Sequence, residues 1–280
     1  MYACLSPKAI GIRMPLSEAL QLAAATGFEA LEFSVLEAAN LAAQHGVAYV
    51  KGLFAQNSVK VGDFASSVDF NGDDATWQTG MERLPRLADL AQQLGATRCT
   101  TWVRPFSDEL KFGEHFDTLV RRLRPAAQIL SDHGARLGLE FVGPRTLRQG
   151  HSFGFISTLE GTLGLCNAVG TGNVGVLLDS FHWFTSHGLA QDIAGLCNQE
   201  VVLVHLNDGI DGKGPDEQLD LVRALPGETG VIDLSAFLSE LSAIGYDGPV
   251  VVEPFSERLK TMSPQDAAAA TRDALRKLGL

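Results

Sequence analysis

Short apolar runs alternate along the chain with longer stretches in which apolar positions return every three or four residues, the pattern of a strand followed by an amphipathic helix. The runs fall at residues 3–6, 30–33, 47–54, 98–103, 136–142, 174–178, 201–206 and 250–253. The helical stretches follow in turn at 17–26, 36–44, 76–94, 112–133, 157–169, 189–198, 234–244 and 264–278. Eight strand-plus-helix units predict an α/β fold, a single (β/α)8 TIM barrel over residues 1–280.

Punctuation agrees with that period. Gly27, Gly46, Gly95, Gly134, Gly170 and Gly245 each follow a predicted helix and precede a predicted strand, where a left-handed C′ residue is needed. The stretches after strands three, five and seven (about 55–75, 143–156 and 207–232) are long, and loops at strand C-termini are where such barrels build their sites. Gly170, Gly172 and Gly175 fit GxGxxG but precede a strand instead of opening a helix, so this is read as a turn, not a dinucleotide cradle.

The last residues of the later strands carry the chemistry. RLGLEF ends near Glu140, VGVLLD at Asp179, VVLVHLND carries His205, and PVVVEPF ends at Glu253. A lone charge inside an apolar run costs several kcal/mol to desolvate, so these groups need compensation. Each one taken singly could satisfy a backbone group or join a salt bridge. Four on consecutive staves point instead to one divalent cation, Mn, Mg, Co or Zn, held by Glu140, Asp179, His205 and Glu253. Asn207 and Asp208 either orient the histidine or open the following loop.

From Gly138 onward, GLEFVGPRTLR, GVLLDSFHWF, VVLVHLND, LPGETGVID and GYDGPVVVEPF resemble the sugar phosphate isomerase/epimerase group of xylose-isomerase-like TIM barrels, with its ketose 3-epimerases, inosose isomerases and inosose dehydratases. The resemblance implies one divalent metal on the same quartet, with Glu140 and Glu253 also moving the proton. It further implies that His182, in Asp179-Ser180-Phe181-His182, contacts a substrate oxygen. The epimerases place an arginine shortly after the histidine ligand, whereas this chain has Asp208 and Asp211 there.

The expected activity is that of a metal-dependent sugar, inosose or keto-sugar isomerase or epimerase. A proton next to a carbonyl is abstracted, and the cation stabilises the enediolate. The same first step, followed by loss of a β-substituent, would make the protein a dehydratase or β-eliminating lyase. Trp102 and Trp183 could stack on a sugar face, Arg145 could hold a carboxylate or phosphate, and Glu228 could bond a hydroxyl. Each has an equally ordinary reading as a core or loop residue. Glu32 and Lys51 are read as a Glu–Lys pair inside the barrel, and His151 as a loop residue.

Charge narrows the partners. With 22 Lys and Arg against 33 Asp and Glu, the net charge of −11 repels nucleic acid and anionic membranes. An endonuclease IV-like phosphodiesterase is therefore a remote alternative, as is a barrel that binds sugar without turning it over; the expected partner is a small polyol or keto-sugar, with a homo-oligomer in keeping with similar barrels. Cys4, Cys99, Cys166 and Cys197 form no CxxC pair and read as reduced core thiols. The N-terminal residues lack a signal-peptide pattern, and nowhere do eighteen apolar residues run together, so a cytoplasmic location is expected.

Overall fold

The computed structural model describes residues 1–280. Eight staves form its central sheet: β1 (Tyr2–Leu5), β2 (Ala30–Leu31), β3 (Lys60–Val61 and Phe64–Ala65), β4 (Arg98–Val103), β5 (Arg136–Phe141), β6 (Val174–Asp179), β7 (Val201–His205) and β8 (Pro249–Val251). All neighbours are parallel; β8 pairs with β1, Tyr2 opposite Pro249. The two halves of β3 close the ring, Lys60 lying opposite Ala30 on β2 and Phe64 opposite Cys99 on β4. The fold is the (β/α)8 barrel expected.

The main helices are α1 (Leu16–Thr26), α2 (Val35–His45), α3 (Val47–Asn57), α4 (Asp74–Leu94), α5 (Phe112–Asp132), α6 (Leu159–Val169), α7 (Ser180–Thr185), α8 (Leu234–Ala243) and α9 (Pro264–Lys277). Ser34, Asp73, Thr158, Asp233 and Ser263 each cap a helix start by accepting a backbone N–H with the side chain. Their apolar faces bury a continuous layer against the outside of the staves.

The third unit departs from the sequence reading. Residues 47–54 are not a strand but most of α3, whose buried positions, Val50 and Phe54, stand four apart on one helix face. The true third stave lies in Lys60-Val61-Gly62-Asp63-Phe64-Ala65, two short pieces too brief to register as an apolar run. Gly62 is needed between them, because a Cβ there would come within 2.6 Å of the Leu31 carbonyl oxygen. Lys51 consequently sits exposed on a helix, and its pairing with Glu32 inside the barrel is withdrawn. Gly46 separates two helices instead of leading into a strand; the other five predicted glycines adopt φ between 73° and 86° at helix ends.

The remaining differences are smaller. The predicted helix over 189–198 shrinks to Ala190–Ala194 followed by a 3-10 turn. Cys197 is exposed, unlike the other three cysteines. Gly170 and Gly172 lie in the turn before β6, with positive φ, as read. No helix is long and apolar enough to cross a membrane.

Candidate metal and polyol site

The barrel interior is built in layers two residues apart, because successive side chains on a strand alternate between its faces. Cys4, Ala30, Leu177, Leu203 and Val251 form an apolar plug. Two positions further along each of these chains come Ser6, Glu32, Asp179, His205 and Glu253. The polar floor of the mouth is thus the next rung above the plug, at the C-terminal end of the staves.

At one side of that floor Glu140, Asp179, His205 and Glu253 converge, one potential ligand atom from each lying within 4.8 Å of all the others. His205 Nδ1 stands 3.3 Å from Glu140 Oε1, 3.4 Å from Glu253 Oε2 and 3.7 Å from Asp179 Oδ2. Neither that nitrogen nor Glu140 Oε1 has a hydrogen-bond partner, although both are buried. Buried polar atoms without partners are rare in native proteins, and three carboxylate oxygens around an imidazole match the donor set of a divalent cation. The residues present fit such an ion.

Local structure aims these groups. Asp179 ends β6 and caps α7, its Oδ1 accepting from Phe181 N (2.6 Å) and His182 N (3.3 Å), which leaves Oδ2 facing the cluster. His182, one turn into that helix, is buried with Nε2 4.0 Å from Glu140 Oε1. The helix can pack this close because residue 143 is glycine; a Cβ there would collide with the His182 carbonyl oxygen. Asn207 bridges two staves, donating to Asp179 Oδ2 (3.0 Å) and accepting from Glu253 N (2.8 Å), so it orients carboxylates and not the histidine. Asp208 instead organises the long loop after β7, accepting from the amides of Gly209, Thr229, Gly230 and Ile232.

That loop delivers a residue the sequence reading missed. Arg223, 4% exposed, donates to Asp179 Oδ2 (2.9 Å), Asp220 Oδ1 (3.1 Å) and Glu253 Oε2 (3.4 Å). Its Nη2 also lies 3.3 Å from His182 Nε2. The rings of Phe181 and Phe255 cover its guanidinium at 4.7 and 4.8 Å. Arg223 lies eighteen positions after His205, inside a loop without periodicity, which is why the sequence reading did not find it.

The other predicted contacts separate. Trp102 stands half-exposed on β4 and lines the cavity over the cluster. Trp183 does not: it is buried against Phe237, with its indole N–H donated to the Leu189 carbonyl. Arg145 points to solvent and pairs with Asp216 at 3.3 Å. Glu228 closes a turn, accepting from Leu225 N and pairing with Arg258 at 2.9 Å. His151 sits in a loop on Asp108, as expected.

Electrostatics follow from burial and crowding. Desolvation raises the Glu140 carboxyl, with His205 opposing. At Asp179 burial acts upward too, but Arg223 and His182 outweigh it and hold the group well below the usual carboxylate range. Glu253 is likewise lowered against its burial, chiefly by His205. His205 is raised well above an ordinary histidine despite desolvation, because Glu253 and the other carboxylates favour its charged form.

Across the floor, Asp63 is 1% exposed and its Oδ1 has no partner. Burial, reinforced by Glu32, pushes it from 3.8 to about 8. The folded chain therefore keeps a proton that the unfolded chain releases between pH 3.8 and about 8, so this group makes stability fall as pH rises through that window. Asp63→Asn is expected to match the parent near pH 4 and exceed it near pH 8 in denaturant titrations. Parallel pH profiles of the two proteins would refute this.

A family model described as xylose isomerase-like TIM barrel matches residues 20–278. The inosose isomerase of Bacillus velezensis is 29% identical over 154 residues, 54% of this chain and 51% of that protein, so the match spans about half of that relative's length. The 3-dehydroshikimate dehydratase of Pseudomonas aeruginosa is 29% identical over 270 residues, 94% of this chain but 39% of that longer protein. A xylose isomerase domain protein of Alicyclobacillus acidocaldarius has a solved structure that superposes with a TM-score of 0.90 at 32% identity, covering 99% of this chain and 98% of that one. The IolI protein with a binding zinc atom shares the fold, at a TM-score of 0.83 and 21% identity, with the same coverage.

Proposed function

This chain belongs to the xylose isomerase-like TIM barrels, and from that premise we propose that it is a divalent-metal-dependent enzyme that moves a proton next to a carbonyl in a small polyol, inosose or keto-sugar, giving an isomer or epimer. The observation that carries this reading is the convergence of Glu140, Asp179, His205 and Glu253, with Glu140 Oε1 and His205 Nδ1 buried and unpartnered. A relative named inosose isomerase and a neighbour holding zinc support it. When bound by these four residues, a divalent cation would supply Lewis acidity to the substrate's carbonyl oxygen.

The chain's own groups do the rest. Glu140 and Glu253 come from staves three apart and flank the same space, so one can take a proton from a carbon held between them while the other returns one. Buried His182 and Arg223 stand beside that space as donors to a substrate hydroxyl, and they keep the carboxylates from collecting uncompensated charge. The plug beneath and the aromatic residues around the mouth limit water.

A second reading is favoured by the match to a dehydratase over 94% of this chain. The first proton transfer is the same, and a β-hydroxyl then leaves. Return of the proton exchanges it with solvent, whereas elimination leaves an unsaturated product. Metal-reconstituted protein incubated in D2O with a panel of inososes, ketoses and 3-dehydroshikimate is expected to wash deuterium into one of them, read by NMR. An alkene product identifies elimination, and an isotopically altered keto-sugar identifies isomerisation or epimerisation. Neither label nor unsaturated product in any member, with metal bound, would sink both.

A further inference from the structure

Past the cluster the mouth continues into a side lobe of about 370 Å³ whose apolar walls are Trp102, Phe106, Val142, Leu147, Leu221 and Phe255. It is contiguous with the cavity over the cluster, since Trp102, Glu140, Glu253 and Phe255 line both. Its polar lining, Glu140, His182, Asp220, Arg223 and Glu253, belongs to the charged cluster, and hydroxyls pressed against the apolar walls away from it would lose water without gaining hydrogen bonds.

Two of these walls, Phe106 and Phe255, are anchored by their neighbours. Phe106 lies in a two-stranded ribbon with Phe153–Gly154, its ring stacked on His151 at 3.4 Å. Phe255 is held at φ 44°, a left-handed conformation unusual for a bulky residue, with its ring on Arg223. The rim is apolar as well. Leu221 is 63% exposed and Trp102 44%, and Leu219 and Val222 on the same turn as Leu221 are also exposed. Asp220 and Arg223 of this turn face inward, so a single short segment joins the charged cluster to the apolar rim.

We propose that the substrate carries a flat apolar substituent, an aryl or comparable group, which fills this lobe while its polyol part lies over Glu140, Asp179, His205 and Glu253. The inference rests on the metal–polyol reading for the second half of that placement. A recessed lobe opening directly onto the reacting groups suits one substituent of a small molecule better than a flat protein face.

Phenyl and methyl β-D-glucopyranoside, titrated calorimetrically into protein with Mn²⁺ and into protein with EDTA, test it. The phenyl compound is expected to bind at least about tenfold more tightly, the effect of burying most of an aromatic ring. That ratio should fall to about twofold or less in Leu221→Ser and in Leu147→Ser, two substitutions made because one site is exposed and the other half-buried, with melting curves checking the fold. Equal affinities, no binding of either compound, or a ratio untouched by both substitutions would overturn the proposal. Mn²⁺ titrated alone separates the two readings: no uptake with the phenyl preference intact removes the metal–polyol reading and sustains the lobe. A dimer in sedimentation that Leu221→Ser dissolves, without any phenyl preference, would give the rim to a second copy of the chain and overturn the proposal as well.

Discussion

Glu140→Gln and Asp179→Asn are each expected to lower affinity for Mn²⁺ or Zn²⁺ by about 100-fold or more, since loss of even an outer partner of a metal ligand commonly costs 10–100-fold. Proton exchange into substrate should fall by about 10³-fold, since both variants lose charge stabilisation by a bound cation and Glu140→Gln also loses a proton-transfer group. The fold should persist. Asparagine can still cap α7 through its side-chain oxygen, and the amide introduced by Glu140→Gln replaces a carboxylate whose burial already opposes its charge. Metal-free Glu140→Gln should therefore melt no lower than the metal-free parent. Elemental analysis and calorimetry read the affinity, and undiminished metal binding in both variants would mean that the four groups do not share an ion.

Arg223→Met should destabilise the metal-free protein by roughly 3–5 kcal/mol, the usual cost of removing one partner from a buried ionic cluster. For a chain of this size that corresponds to a melting temperature lower by roughly 10 °C. Three carboxylates, those of Asp179, Asp220 and Glu253, lose their guanidinium at once. The pH dependence fixes the cause. Because the folded-state Asp179 carboxyl lies below its ordinary value, its contribution is present above about pH 4 and disappears as pH falls through the folded value. The variant should lose less stability on acidification than the parent does. Calorimetric scans at pH 7 and at about pH 2.5, inside the window where that contribution is lost, measure both, and a variant melting within about 1 °C of the parent at pH 7 would show the pairs to be energetically idle.

What was legible in the sequence depended on how each residue reaches the site. Glu140, Asp179, His205 and Glu253 are carried on or beside apolar strands, so a charge in an apolar run gave them away, and the period of two puts them one rung above the plug. His182 came from the family resemblance, which puts a histidine three residues after the aspartate ligand, and not from any apolar pattern. Arg223 offered no such handle. It comes from a loop whose path is set by Asp208 gathering four amides and by Asn207 bridging two staves, contacts between residues distant along the chain. Trp102 and Trp183 looked alike in sequence, yet one lies on a stave facing the mouth and the other on the far side of α7 against Phe237. Val47–Asn57 misled because β-branched and aromatic residues make a strand-like run, while the helix is decided by which of them are buried.

The divided third stave has a consequence for how the molecule breathes. A hoop is weakest where its plank is split, and here two residue pairs bind each half to its neighbour, against six between β4 and β5. Transient parting should be cheap along that joint, as along the seams of β1 with β2 and β7 with β8, which two residue pairs hold as well. Asp63 and Glu32 line one cavity with Glu140, His205 and Glu253, so water admitted at the split stave has a direct path to the reacting groups.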